Sequence, residues 1–139
     1  MKAQCCAALA FLGNAREAME FYQSVFGGEL GISTFADFNA VPPGDPGADQ
    51  IMHAQLDAAD LTLMASDLPP GMPHTPGDTV SLVLWGDDEA KLRGWYEALS
   101  EGGEVSMPLE RQIWGDLYGD FRDRFGISWS VNISTPGEG

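Results

Sequence analysis

One order of elements is written twice in this chain, and that repeat limits its fold more than any other feature. An apolar run over residues 3–12 ends at Gly13-Asn14 and has the length of a buried strand. Asn14 with Glu17 three residues later reads as a capping box. Ala15, Ala18, Met19, Tyr22 and Phe26 then recur at helical spacing until Gly27-Gly28 stops the helix. Strands follow at 29–36, 50–57 and 61–66. The middle one is expected to carry Ile51, His53, Gln55 and Asp57 on one face and Met52, Ala54 and Leu56 on the other. The second half repeats this order. A strand at 79–85 leads to Asp87 and Asp88 as cap candidates, then to a helical stripe of Leu92, Trp95, Tyr96 and Leu99. Gly102-Gly103 ends that helix, and strands are expected at about 104–110, 116–122 and 127–133. The two helix ends are alike, Phe21-Tyr22 through Phe26-Gly27-Gly28 and Trp95-Tyr96 through Glu101-Gly102-Gly103, at a period of about 75 residues.

The pattern predicts an α+β chain forming a single domain of two βαβββ modules, about 1–68 and about 78–133. The Pro- and Gly-rich loop 68–78 joins them, and a second punctuated loop lies at 39–49. One helix covers one face of a four-stranded sheet and leaves the other open. Two such curved mixed sheets side by side are expected to enclose a cleft, a common place for a small ligand.

Charge narrows the partners. Seven Lys and Arg face 21 Asp and Glu, a formal net charge of −14, which repels phosphate backbones and anionic lipid surfaces; neither nucleic acid nor membrane is an expected partner. No apolar stretch is long enough to span a bilayer, and the run at 3–12, with Lys2 as its basic flank, reads as a strand rather than a signal peptide. Cys5 and Cys6 are adjacent, so a disulfide-built scaffold is excluded. They are expected to be buried thiols pointing to opposite faces of the first strand, and a reducing, cytoplasmic setting follows.

Certain stretches carry a family resemblance. The opening Gly13-Asn14-Ala15-Arg16-Glu17-Ala18-Met19-Glu20-Phe21-Tyr22 with Val25-Phe26-Gly27-Gly28 is similar to that of PhnB-like proteins. So are Ile51-Met52-His53-Ala54, Met64-Ala65-Ser66-Asp67, Gly102-Gly103 followed by Met107-Pro108-Leu109-Glu110, and Trp114-Gly115 with Asp123-Arg124-Phe125-Gly126-Ile127-Ser128-Trp129. In order along nearly the whole chain, they resemble the PhnB-like branch of the vicinal-oxygen-chelate superfamily, which includes glyoxalase I, bleomycin-resistance proteins and extradiol dioxygenases. The resemblance implies the glyoxalase/bleomycin-resistance fold and a U-shaped cavity, often completed by a homodimer. It does not imply a shared reaction. Some PhnB-like sequences are labelled ubiquinone-pathway methyltransferases; no glycine-rich cofactor loop follows a strand here, and no cofactor is expected.

Metal-dependent members of that superfamily place one ligand on each of four strands. Registered on the Phe21-Tyr22 helix and on the Asp87-Asp88 and Asp123-to-Gly126 turns, those positions fall at Ala7, near Met64, at Ser81 and at Ser130. None offers the imidazole or carboxylate that a divalent ion needs, so no metal is expected.

The residues expected to meet a ligand are His53, Gln55, Met64, Trp114, Asp116 and Tyr118. His53 is either a general base or ligand donor on the open face, or a structural histidine; His74, in the Pro-rich loop, is expected at the surface. Trp114 either stacks on a flat ligand, as the resemblance favours, or packs a seam between subunits or modules. Met64 softens a cavity or fills the core. Asp123-Arg124-Phe125-Gly126 reads as a turn, and Trp129 and Phe125 as core. The leading expectation is a metal-independent protein that binds a hydrophobic or aromatic small molecule, with an acidic rim favouring a cationic one. The alternative is a lyase, isomerase or dioxygenase-like enzyme using His53 as base.

Overall fold

The structure is a computed structural model, and it describes residues 3–39, 41–42, 44–69, 71–77 and 79–134; Lys2, Pro43 and Pro70 lie outside them. The elements follow the order β1 (Ala7–Phe11), α1 (Ala15–Phe26), β2 (Glu29–Thr34), β3 (Ile51–Asp57), β4 (Thr62–Asp67), β5 (Leu82–Gly86), α2 (Glu89–Ser100), β6 (Glu104–Arg111), β7 (Leu117–Arg122) and β8 (Ser128–Ile133). The chain divides into two compact units, Met1–Thr75 and Pro76–Gly139, and each carries one βαβββ module. The architecture is α+β with two mixed sheets, as the sequence predicts.

In the first unit the strand order is β1-β4-β3-β2, with β1 parallel to β4 and the other pairs antiparallel. Helix α1 packs on β2, β3 and β4. Its stripe of Ala15, Ala18, Met19 and Tyr22 is buried against Ala54, Leu56, Leu63 and Ala65. Burying the Met19 and Tyr22 side chains contributes about 1.5–3 kcal/mol each.

The helix start differs from the expected capping box. Asn14 sits at φ −117°, ψ 22° and makes no side-chain cap. The carboxylate of Asp67, at the end of β4, takes that role instead. Its Oδ1 accepts the amides of Gly13 and Ala15, each at 2.9 Å, and its Oδ2 accepts the amide of Ile51 at 2.9 Å. A carboxylate at a helix N-terminus satisfies orphan N–H groups and opposes the helix dipole.

The expected alternation of β3 also needs correction. The ladder with β2 slips between Ser33 and Thr34, so Ile51 faces the core while Met52 and His53 are both exposed. One extra residue at such a bulge reverses the phase before it and leaves the phase after it intact.

The second unit repeats the plan in the order β5-β8-β7-β6. Helix α2 packs on β5 and β8, and its start is capped as expected, Asp88 Oδ1 accepting the Lys91 amide at 3.2 Å. Leu92 and Leu99 are buried, while Trp95 and Tyr96 are half-buried. The Tyr96 ring meets Phe121 edge-on at 5.5 Å. Trp129 is fully buried, whereas Phe125 is only half-buried. Asp123 serves this unit much as Asp67 serves the first. Its Oδ1 accepts the amides of Phe125 and Ile127, and its Oδ2 accepts Trp129 Nε1 at 2.8 Å.

The paired glycines do the same job in both units. A Cβ on Gly28 would strike the backbone of Asp57 and Ala58, and one on Gly103 the backbone of Arg122 and Asp123. Each helix exit therefore presses on the turn that follows the second strand after it.

Candidate functional site

Strand pairing decides which side chains the helices leave uncovered. In the first unit Gln55 stands opposite Met64, Met64 opposite Ala8, and His53 opposite Ser33. All alternate with the residues buried under α1, so His53, Gln55 and Met64 share the sheet face that no helix covers. A hollow of about 360 Å³ opens there, bordered by Cys5, Cys6, Gln55, Asp57, Thr62 and Met64. Gln55 Nε2 donates to both Asp57 oxygens, at 3.0 and 3.2 Å. His53 is exposed on this face but does not border the hollow. His74 is exposed, as expected.

The cysteines are not where the sequence puts them. Cys5 is exposed, Cys6 half-buried, and both border one hollow rather than opposite faces. They precede β1, which begins at Ala7, so strand alternation does not govern them.

In the second unit Asp116, Tyr118 and Asp120 lie in phase on or beside β7, on the face away from α2. Tyr118 stands opposite Asn132 and Asp120 opposite Ser130. Gln112, Ile113, Trp114 and Gly115 make the β6–β7 turn, closed by the Gln112 amide donating to the Asp116 carbonyl at 2.8 Å. The turn lifts Trp114 into solvent, 57% exposed, with its ring edge-on to Tyr118 at 6.0 Å and 65°. Asn132 Nδ2 donates to Asp116 Oδ2 at 3.0 Å. The Tyr118 hydroxyl donates to Asp120 Oδ2 at 3.2 Å. Partial burial, then this hydrogen bond and the Asp120 charge, raise the Tyr118 phenol above 10.0, with Ser130 pulling the other way. Tyr118 is therefore a neutral donor at any physiological pH.

Beside this pair lies a hollow of about 270 Å³ bordered by Ser81, Ser106, Tyr118, Asp120, Arg122 and Ser128. The sequence points to Trp114, Asp116 and Tyr118 as ligand residues; Asp120, in phase with Asp116 and Tyr118 on the same predicted strand, is not counted among them, and neither are Ser106 and Ser128. Their signal was the two-residue rhythm Asp116-Tyr118-Asp120-Arg122 and Ser128-Ser130-Asn132, polar at every step of the uncovered face.

The four positions that the superfamily resemblance assigns to metal ligands do not fit a divalent ion. Met64 and Ser130 point away from the helices, Ser130 being itself buried, and Ser81 is exposed just before β5. Ala7 pairs with Leu63 on the helix side, one residue out of the expected phase, and its neighbour Ala8 brings no donor either. Among the described residues no three His, Cys, Asp or Glu side chains converge on a point where a metal ion could sit.

Comparison with known proteins gives a consistent picture. The sequence profile of the Glyoxalase/Bleomycin resistance protein/Dioxygenase superfamily matches residues 7–131. Protein YjdN of Escherichia coli is 29% identical over 136 residues, covering 90% of this chain and 91% of that protein. The crystal structure of protein PA1353 from Pseudomonas aeruginosa superposes with a TM-score of 0.81 at 38% identity, over 96% of this chain and 98% of that one. A PhnB protein from Bacillus cereus, described as a putative 3-demethylubiquinone-9 3-methyltransferase, gives a TM-score of 0.73 at 25% identity, over 95% and 100%.

Proposed function

The chain belongs to the glyoxalase/bleomycin resistance protein/dioxygenase superfamily, and on that premise we propose that it is a metal-independent binding protein for a hydrophobic or aromatic small molecule. The observation that carries this reading is an aromatic pair at the edge of an uncovered sheet face: exposed Trp114 of the β6–β7 turn edge-on to half-buried Tyr118, with Asp116 fixed beside them by Asn132. An exposed Trp whose neighbours are held in place presents a flat apolar surface to a planar ligand at little ordering cost. Metal independence rests on the side chains at the four ligand positions, which are methyl, thioether and hydroxyl groups. We place the chain in the PhnB-like branch, working in the cytoplasm as a homodimer; light scattering on the purified protein tests the last point.

The His53 enzyme has one observation in its favour, the exposure of the imidazole on the face that carries Gln55 and Met64. A general base also needs an orienting partner. Gln55 is committed to Asp57, and no described residue hydrogen-bonds the His53 imidazole. We therefore rank binding first.

The test joins metal analysis of protein purified without chelator to tryptophan-fluorescence titration with a panel of small aromatic compounds. Saturable quenching that disappears in Trp114→Ala, in protein without stoichiometric metal, is the expected result. One tightly held metal per chain, with thermal stabilisation by zinc, nickel, manganese or iron(II), would overturn metal independence. Quenching that survives in Trp114→Ala would overturn the site.

A further inference from the structure

We propose that the ligand of the second unit is a small aryl amine, its ring on Trp114 and Tyr118 and its ammonium group in the adjoining hollow against Asp120. The inference rests on the aromatic-binding reading above and adds the chemical class.

Tyr118 connects the two halves of the site. Its ring touches Trp114, and its hydroxyl donates to Asp120 Oδ2. That bond turns the Asp120 carboxylate toward the hollow it borders and occupies one oxygen, while Oδ1 has no partner among the described residues. The hydroxyls of Ser81, Ser106 and Ser128, on the same wall, also have no partner among them. An ammonium group carries three donors and no acceptor. One carboxylate oxygen and a set of hydroxyl oxygens are the acceptors that suit it. Tyr118, as a proton-bearing donor, keeps Asp120 oriented without competing for the cation.

Charge decides between an amine and an acid. Asp116, Asp120, Glu104 and Glu110 lie on or beside β6 and β7, on the uncovered side. Arg122 is the cation facing them on β7, and its Nη1 already donates to the Gly126 carbonyl at 3.1 Å. The local balance disfavours an anionic ligand and favours a cation. Size narrows the class further. A hollow of about 270 Å³ lies below the ~300–1,000 Å³ that drug-sized ligands occupy, which suits a short amine arm whose single ring rests outside it on Trp114.

The experiment uses the full chain, calorimetric titration, and three isosteric probes: 2-phenylethylamine, 2-phenylethanol and phenylacetate. The amine should bind tightest and weaken as salt is raised, while the alcohol should be insensitive to salt. Asp120→Asn keeps an acceptor for Tyr118 and so should preserve the fold. It should weaken the amine about fivefold, the scale of a partly exposed ion pair, and leave the alcohol unchanged. An amine no tighter than the alcohol, or an Asp120→Asn variant that weakens both equally, overturns the amine assignment. Binding of the alcohol or of phenylacetate without the amine overturns it as well, yet leaves the aromatic-binding reading standing. No binding of any probe overturns both.

Discussion

Asp67 ties three separate stretches of the first unit together, so replacing it is the sharpest test of how that unit is built. The carboxylate is 3% exposed and accepts three backbone amides, two at the β1–α1 turn and one at the bulged start of β3. Asp67→Asn keeps the shape but presents an NH₂ group to one side. If the amide oxygen stays with Gly13 and Ala15, the Ile51 N–H faces another donor. The cost is one hydrogen bond to a charged group, about 1.5–3 kcal/mol, plus the loss of a negative charge from the α1 N-terminus, about 0.3–1 kcal/mol. A total of about 2–4 kcal/mol is a large part of the ~5–15 kcal/mol that holds an ordinary domain. Urea denaturation followed by far-ultraviolet circular dichroism measures it. Tryptophan emission is a poor substitute, because Trp85, Trp95, Trp114 and Trp129 all lie in the second unit. Hydrogen exchange supplies the local readout: the Ile51 amide should lose protection before its neighbours in β3. A loss below about 1 kcal/mol, with the Ile51 amide still protected, would refute the three-way anchor, because uncharged surface changes fall in that range.

Other consequences can be checked separately. Gly27→Ala and Gly28→Ala isolate two effects: both glycines have positive φ, 74° and 91°, but only Gly28 has backbone within reach of a Cβ. Gly27→Ala should cost about 1–2 kcal/mol and Gly28→Ala clearly more, by thermal denaturation; equal losses would mean that the exit of α1 does not press on the Asp57-Ala58 turn. Asp123→Asn should alter the emission of buried Trp129, whose indole N–H loses a carboxylate acceptor, and should destabilise the second unit; unchanged emission would count against that bond. The Tyr118 phenol is held above 10.0, so just above that pH the native state keeps a proton that the unfolded chain has lost; its stabilising contribution is whole below 10.0 and falls as pH rises through the native value. Tyrosinate absorbance, read as the difference from Tyr118→Phe, should show the late titration, and Asp120→Asn should move it back toward 10.0; a midpoint unmoved by that change would detach Tyr118 from Asp120.

Local periodicity made the fold legible. The stripe Ala15, Ala18, Met19, Tyr22 and the two Gly-Gly stops are set by contacts close in sequence, and they hold. The capping box failed because Asn14 and Glu17 compete with Asp67, a group fifty residues away whose position only the closed sheet supplies. The phase of Ile51 failed for a related reason: the bulge is set by the pairing of β3 with β2, which no pattern within β3 records. Cys5 and Cys6 were misplaced because the sequence does not show that β1 begins one residue after them. At the site, single residues were legible when chemically distinctive, as Trp114 and Tyr118 are. Asp120 is in phase with Asp116 and Tyr118 already in the sequence, but it and the serines are ordinary surface residues by themselves, and only the closed sheet brings them to one wall.

The repeat also shows which parts of the design are scaffold. What the two units share is backbone logic: a helix on one sheet face, and a glycine exit pressed onto the following turn, at Gly28 against Asp57-Ala58 and at Gly103 against Arg122-Asp123. What they do not share is side-chain chemistry. Each buries one aspartate that gathers backbone amides, but Asp67 ends the last strand of its unit, whereas Asp123 sits in the turn before the last strand of the other. Their uncovered faces diverge further. Both hollows carry a carboxylate and hydroxyls, but only the first adds thiols and a thioether, and only the second adjoins the Trp114–Tyr118 pair. Stability needs only the covered faces, so nothing in the scaffold dictates these differences. Different side chains on the faces that the helices leave bare, over a shared backbone frame, are what the proposed ligand binding would draw on.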